Sequence, residues 1–159
     1  MIEDVLAFRR KFGQLVSTEP VHLTKRRLAE RANFLLEELE EFAHGAGLIM
    51  EGGRYVICEE VDQDLAAQAD GLIDIVYVAL GTAIMLGLPW HALWDDVQRA
   101  NMSKELGPTG DVVKPRGWKP PRGEDILLEH GYDRERFRFR SLWGLIDDSR
   151  CIDDPEHSR

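Results

Sequence analysis

Carboxylates crowd two stretches of the chain, Glu37-Glu38-Leu39-Glu40-Glu41 and Asp70-Gly71-Leu72-Ile73-Asp74. Both lie in helical patterns that advance about 100° per residue. In the first, Leu28, Ala32, Leu35, Leu39 and Phe42 make an apolar stripe. Glu37, Glu38 and Glu41 fall together on its flank, and Glu40 turns to the opposite flank. In the second, Asp70, Asp74, Tyr77 and Gly81 share a face. Leu65, Leu72, Ile73, Val76, Ala79, Leu80 and Ala83 cover most of the remaining circumference. A helix apolar on nearly all sides belongs inside a bundle, so its carboxylates are drawn inward, where an unpaired charge is costly. No Lys or Arg stands within a turn of Asp74. Oxygen ligands from two helices suit Mg²⁺, with Mn²⁺ as an alternative, and such ions keep waters for a phosphate substrate. Each stretch alone has a plainer reading: a solvated glutamate face, or a helix-start residue and one buried ion pair. Their conjunction favours a metal site.

Two further segments carry candidate chemistry. In Gln98-Arg99-Ala100-Asn101-Met102-Ser103-Lys104, Leu93 and Val97 are followed on the inward stripe by Asn101 and Lys104. A Lys near a helix end complements the dipole, but an inward Asn needs partners; together they can hold a sugar hydroxyl and a phosphate oxygen. The second is Lys114-Pro115-Arg116-Gly117-Trp118-Lys119-Pro120-Pro121-Arg122, a local cluster of cations in an acidic chain. Trp118 either stacks on a base or packs on the bundle as part of a proline-stiffened loop. There is no P-loop and no GxSxG elbow. Cys58 has no nearby His, and Glu41-x-x-His44 lacks the second copy that a di-iron bundle requires.

The elements that must position these groups follow from pattern and punctuation. Helices are expected over residues 2–16, 23–44 with Thr24 as N-cap, 64–86, 91–104 with Leu93, Trp94, Val97 and Ala100 inward, and 124–130. Residues 45–62 fit a small hairpin or a loop with a helical turn, and residues 111–114 fit a short strand. The architecture expected is an all-α bundle over residues 1–130, followed by an arm and tail over 131–159.

The 159 residues, 43% hydrophobic and 31% charged, describe one soluble globular domain. The net charge of -9 argues against duplex nucleic acid or an anionic membrane as partner, while leaving room for a nucleotide. The apolar run around residues 73–88 carries Asp74 and breaks at Gly87 and Pro89, short of a membrane span. Two cysteines make neither a disulfide framework nor a zinc site. With no secretory signal pattern at Met1-Ile2-Glu3-Asp4, a cytoplasmic setting is expected.

Taken together, these segments resemble the all-α nucleoside triphosphate pyrophosphohydrolase superfamily, in its MazG-like or phosphoribosyl-ATP pyrophosphohydrolase-like branch. Glu37-Glu38-Leu39-Glu40-Glu41 supplies its E-E-x-x-E motif whole. The second motif, E-x-x-D, ends at Asp74 but has Gly71 where the first acid belongs, with Asp70 one residue further back on the same face. Asn101-Met102-Ser103-Lys104 and the loop Lys114-Pro115…Gly117-Trp118…Pro120-Pro121 complete the likeness, which covers residues 5–121. The resemblance implies Mg²⁺-dependent hydrolysis of a (deoxy)nucleoside triphosphate between the α- and β-phosphates, as in nucleotide-pool housecleaning. It implies Glu37, Glu38, Glu41, Asp70 and Asp74 around the metal, with Glu37 or Glu38 as general base. Asn101, Lys104, Tyr77, Lys114, Arg116, Trp118 and Lys119 are then expected at the substrate. A homodimer or dimer of dimers is implied as well. The alternatives are phosphoribosyl-ATP as substrate, or a catalytically silent bundle that binds a nucleotide or a protein.

Overall fold

The computed structural model describes residues 1–135. The chain forms two compact units, residues 1–15 with 23–84, and residues 16–22 with the chain from 85 onward. Of the C-terminal arm expected from residue 131, all but the first five residues lie outside the described part.

The first unit holds three helices and a hairpin: α1 (Ile2–Lys11), α2 (Lys25–Gly45), β1 (Leu48–Glu51), β2 (Arg54–Ile57) and α3 (Leu65–Met85). α1 stops short of the expected Val16, because Gly13 takes a left-handed conformation (φ 65°) that few other residues adopt at low cost. The Arg9 guanidinium then donates to the Leu15 carbonyl at 2.9 Å, fixing the chain as it leaves the helix. Thr24 caps α2 as expected, its Oγ1 accepting from the Arg27 amide. Asp64 does the same for α3, accepting from the Ala66 and Ala67 amides. The hairpin reading of residues 45–62 holds, with Leu48 opposite Ile57 and a two-residue Gly52-Gly53 turn between Glu51 and Arg54. Both glycines have positive φ, as the tight hairpin turn demands.

α2 and α3 run antiparallel at close range. A Cβ on Gly45 would lie 2.9 Å from the Ala67 Cβ, and one on Gly71 would lie 2.8 Å from the Phe42 amide nitrogen. Further along, Arg31 on α2 donates to the Val78 carbonyl and Thr82 Oγ1 of α3, each at 3.0 Å. Partners thus descend α2 as they climb α3, and between these ties Glu38 comes opposite Asp74. The line of α2 facing α3 therefore runs through Arg31, Glu38, Phe42 and Gly45. That displaces the stripe expected from periodicity, in which Leu28 and Leu39 led; both are exposed.

The expectation that α3 is enclosed on nearly all sides also needs correction. Within this chain Leu65 (78% exposed), Ile73 (65%), Leu72 and Val76 are open. By length and composition α3 reaches the threshold for a membrane span, contrary to the sequence reading. It carries Asp70 and Asp74, residue types that are rare within membrane spans, and packs tightly on α2 along one side. No side chain among the described residues is both large and fully buried.

The second unit contains α4 (Trp90–Met102), β3 (Glu105–Leu106), β4 (Val112–Val113) and α5 (Gly123–Glu129). Residues 16–22 join it: the Val21 amide donates to the Leu86 carbonyl, and Ser17 Oγ to the Met85 carbonyl at 2.7 Å. The short strand expected near 111–114 pairs with Glu105–Leu106. On α4 the buried line is Asp96 and Ala100, with Leu93 half-buried. Trp94 (57% exposed) and Val97 face outward, so the inward stripe read from the sequence was rotated by about one residue.

The close approach of α2 and α3 makes opposite forecasts for two glycines. In Gly71→Ala the new methyl meets helix backbone, so unfolding by urea should show a loss of about 1–3 kcal/mol despite better helix propensity. In Gly81→Ala the nearest atoms are 3.5 Å away, an ordinary contact, and stability should rise by about 0.5–1 kcal/mol. Equal responses would disprove the packing described.

Candidate functional site

The first unit brings the five sequence-predicted carboxylates into one neighbourhood. Glu38 is half-buried where α2 faces α3, Asp74 is half-buried opposite it, and Glu37, Glu41 and Asp70 are exposed around them. Burial pushes the Glu38 carboxyl above the ordinary glutamate range, and the charges of Asp74, Glu41, Glu37 and Asp70, in that order, push it further. Asp70 exerts the weakest influence of the four. None of the five forms an ion pair with a Lys or Arg among the described residues. Arg31, the cation that α2 does send toward α3, is occupied by a carbonyl and a hydroxyl. Its own pKa is lowered by burial and by Arg27.

Gly71 now has a physical explanation. The second motif lacks its first acid because the Phe42 backbone fills the space a side chain would need at position 71. Asp70, one residue back, lies clear of that contact. Glu40, expected on the far flank, instead lines a depression of about 510 Å³ with Glu37, Glu41, His44 and Ala67. Glu37 and Glu40, Glu37 and Glu41, Glu40 and His44, and Glu41 and His44 stand three or four residues apart on α2, a spacing the sequence already contained, and Ala67 comes from α3. Tyr77 continues the Asp70–Asp74 face and sets its ring edge-on to Phe8, with centroids 5.7 Å apart.

The donor chemistry suits a hard divalent ion, since oxygen ligands predominate and no Lys or Arg among the described residues pairs with them. As they stand, no three His, Cys, Asp or Glu side chains among the described residues are gathered tightly enough to hold a metal. The carboxylates form a neighbourhood and not a closed shell.

The remaining predicted residues belong to the second unit. Asn101, expected inward, is exposed, because the buried line of α4 runs through Asp96 and Ala100; Lys104 is half-buried. Trp118 donates its Nε1–H to the Ala100 carbonyl at 2.8 Å, and the Lys114 ammonium lies 4.5 Å from the centre of its ring. Trp118 thus acts as an anchor with one face covered, the plainer of the two sequence readings. Arg116 and Lys119 are exposed. Lys119 borders a cavity of about 760 Å³ with Asp96, Arg99 and residues 120–125. Asp96 escaped the sequence reading; a lone Asp in an amphipathic helix gives little sign of burial.

Five helices among the described residues, with acidic residues facing across the antiparallel pair α2 and α3, make an all-α architecture of the kind the sequence resembles. A family model described as phosphoribosyl-ATP pyrophosphohydrolase matches residues 5–101, and the chain belongs to that family. The family lies within the MazG-like all-α pyrophosphohydrolase superfamily. The chain is accordingly an enzyme, a nucleotide pyrophosphohydrolase, which sets aside the silent-bundle alternative. No curated protein gives a significant match.

A raised Glu38 pKa fixes the sign of a stability effect. Below the unfolded value of about 4.3, Glu38 is protonated in both states and costs nothing. As pH rises through the higher folded value, the folded state acquires an unwelcome charge and loses stability. Glu38→Gln should therefore melt above the parent at pH 8 in chelator, with the gap closing toward pH 4. A gap independent of pH would contradict the crowding of charge at this position.

Proposed function

We propose that this chain hydrolyses the bond between the α- and β-phosphates of a nucleotide, releasing pyrophosphate, with the α2–α3 carboxylates as its catalytic centre. The observation that carries this reading is Glu38 crowded by four further carboxylates, Asp74, Glu41, Glu37 and Asp70, all five without an ion-pair partner among the described residues. Glu37, Glu38, Glu41, Asp70 and Asp74 would hold Mg²⁺, or Mn²⁺ in its place; a divalent ion bound there supplies charge neutralisation for the phosphates and a more acidic water. Glu37 or Glu38 accepts the proton of the attacking water as its oxygen bonds to the α-phosphorus. The P–O bond to the β-phosphate breaks, and the electron pair leaves on pyrophosphate. Lys104, Lys114, Arg116 and Lys119 are proposed to bind substrate phosphates, Asn101 a sugar hydroxyl, and Tyr77 and Trp118 to contact the substrate; these roles rest on the sequence resemblance.

The family description favours phosphoribosyl-ATP as the substrate. The second reading, a (deoxy)nucleoside triphosphate, is supported by the MazG-like segments at residues 101–104 and 114–121. A substrate panel of both kinds with Mg²⁺ or Mn²⁺ should yield pyrophosphate, and the ratio of kcat/KM values selects between them. Glu38→Gln with Glu41→Gln should lower kcat/KM by about 10²-fold or more. Full activity in that double variant, or orthophosphate as the sole product, would refute the site or the bond.

We further propose a homodimer that covers Leu65, Leu72, Ile73 and Val76 of α3, since so large an open apolar face is unusual on a lone chain. Sedimentation should show a dimer that Ile73→Asp converts toward monomer; an unchanged dimer would place the interface elsewhere.

A further inference from the structure

The basic loop at residues 114–122 is stiffened by Pro115, Pro120 and Pro121, but its placement comes from α4. Trp118 Nε1 donates to the Ala100 carbonyl at 2.8 Å, an Arg99 terminal nitrogen to the Pro120 carbonyl at 3.3 Å, and the Arg122 amide to Asp96 Oδ2 at 2.5 Å. Two of these ties run through one carboxylate. Asp96, only 8% exposed, also accepts from Arg99 Nε at 2.8 Å, so it orients the guanidinium that reaches Pro120. Arg122 Nε stands 3.8 Å from the same carboxyl.

The cations of this region divide into two groups. Arg99 and Arg122 share the single Asp96 carboxylate and serve as tethers, Arg99 through its guanidinium and Arg122 through its amide. Lys114, Arg116 and Lys119 meet no carboxylate among the described residues, and the Lys114 ammonium is held over the anchored Trp118 ring. A buried charge of this kind is costly unless fully paired, and here its pairing falls entirely on the tethers. Arg99 is the first and the Arg122 amide the second cause that holds the Asp96 carboxyl below the ordinary aspartate range.

We infer that Asp96 is a positioning residue for phosphate binding: through Arg99 and the Arg122 amide it fixes the loop so that Lys114, Arg116 and Lys119 converge on the oxygens of a pyrophosphate group. This deepens the proposed function and rests on its assignment of the loop to substrate phosphates. Asp96 itself touches no substrate.

The test uses the full chain and two readouts, calorimetric binding of inorganic pyrophosphate and steady-state hydrolysis of the best nucleotide of the panel. Asp96→Ala should weaken pyrophosphate about tenfold and raise KM similarly, with kcat within twofold. Combined with Lys119→Ala, the losses should be markedly less than multiplicative, because both act through the same loop. A purely structural role would give independent losses and a fall in kcat. Should Asp96→Ala fold poorly, Asp96→Asn keeps an acceptor for the Arg122 amide while losing the charge that orients Arg99, and should give an intermediate loss. Unaltered pyrophosphate affinity in a folded variant, or multiplicative losses with Lys119→Ala, would overturn the inference. A parent chain whose pyrophosphate affinity falls in Asp96→Ala yet that hydrolyses no nucleotide would overturn the proposed function and leave this inference standing. A parent that binds no pyrophosphate would overturn the inference.

Discussion

Like charges held close without a counter-ion are the constraint around which the first unit is built. Two helices that approach through Gly45 and Gly71 have little freedom to slide or splay, and that rigidity keeps Glu38 and Asp74 opposite each other. Burial and repulsion oppose ionisation of Glu38, yet the apolar packing of Ala43, Leu80, Ala83 and Ile84 outweighs the penalty. The fold thus stores an electrostatic imbalance that the proposed divalent ion would relieve, and its binding would then be linked to the stability of the fold.

Position 71 shows how one contact decides two properties. A side chain there would force α2 and α3 apart; its absence permits the short interhelical distance and removes an acid from the motif. The packing requirement leaves no room for an acid at position 71, and the nearest carboxylate stands one residue back, at Asp70. In the second unit a comparable economy operates at Asp96, where one buried carboxylate is shared by Arg99 and Arg122 and ties α4 to the chain entering α5. The two carboxylate systems differ in kind: one is unbalanced and open, the other closed and satisfied.

Much of this was readable from the sequence, for identifiable reasons. Thr24, Asp64 and the Gly52-Gly53 turn act through their nearest neighbours, so local chemistry sufficed to locate the ends of α2 and α3 and to offer the hairpin beside a loop with a helical turn. The acidic stretches were legible because helical spacing and an apolar background together restrict where carboxylates point. What failed was rotation about the helix axis. Leu28 and Leu39 outrank Glu38 in hydrophobicity, and Trp94 outranks Asp96, yet the buried lines pass through the polar residues. Periodicity reports that a helix has a face; partners distant in sequence, here Phe42 with Gly71 and Arg122 with Asp96, decide which face is used. Asn101 was misplaced for the same reason, and Gly13 was passed over as a helix stop because the apolar spacing continues beyond it.

The β1–β2 hairpin lies between the two carboxylate helices in sequence, yet its base is closed by two bonds, from the Asp64 amide to the Gly45 carbonyl at 2.8 Å and from the Cys58 amide to the Gly47 carbonyl at 2.9 Å. Those bonds isolate the helices from whatever occurs beyond them. Chain can lengthen, shorten or change character outside the clasp at small entropic cost, with the acidic residues left undisturbed. The hairpin is therefore a place where related enzymes can diverge in recognition while sharing one unaltered centre.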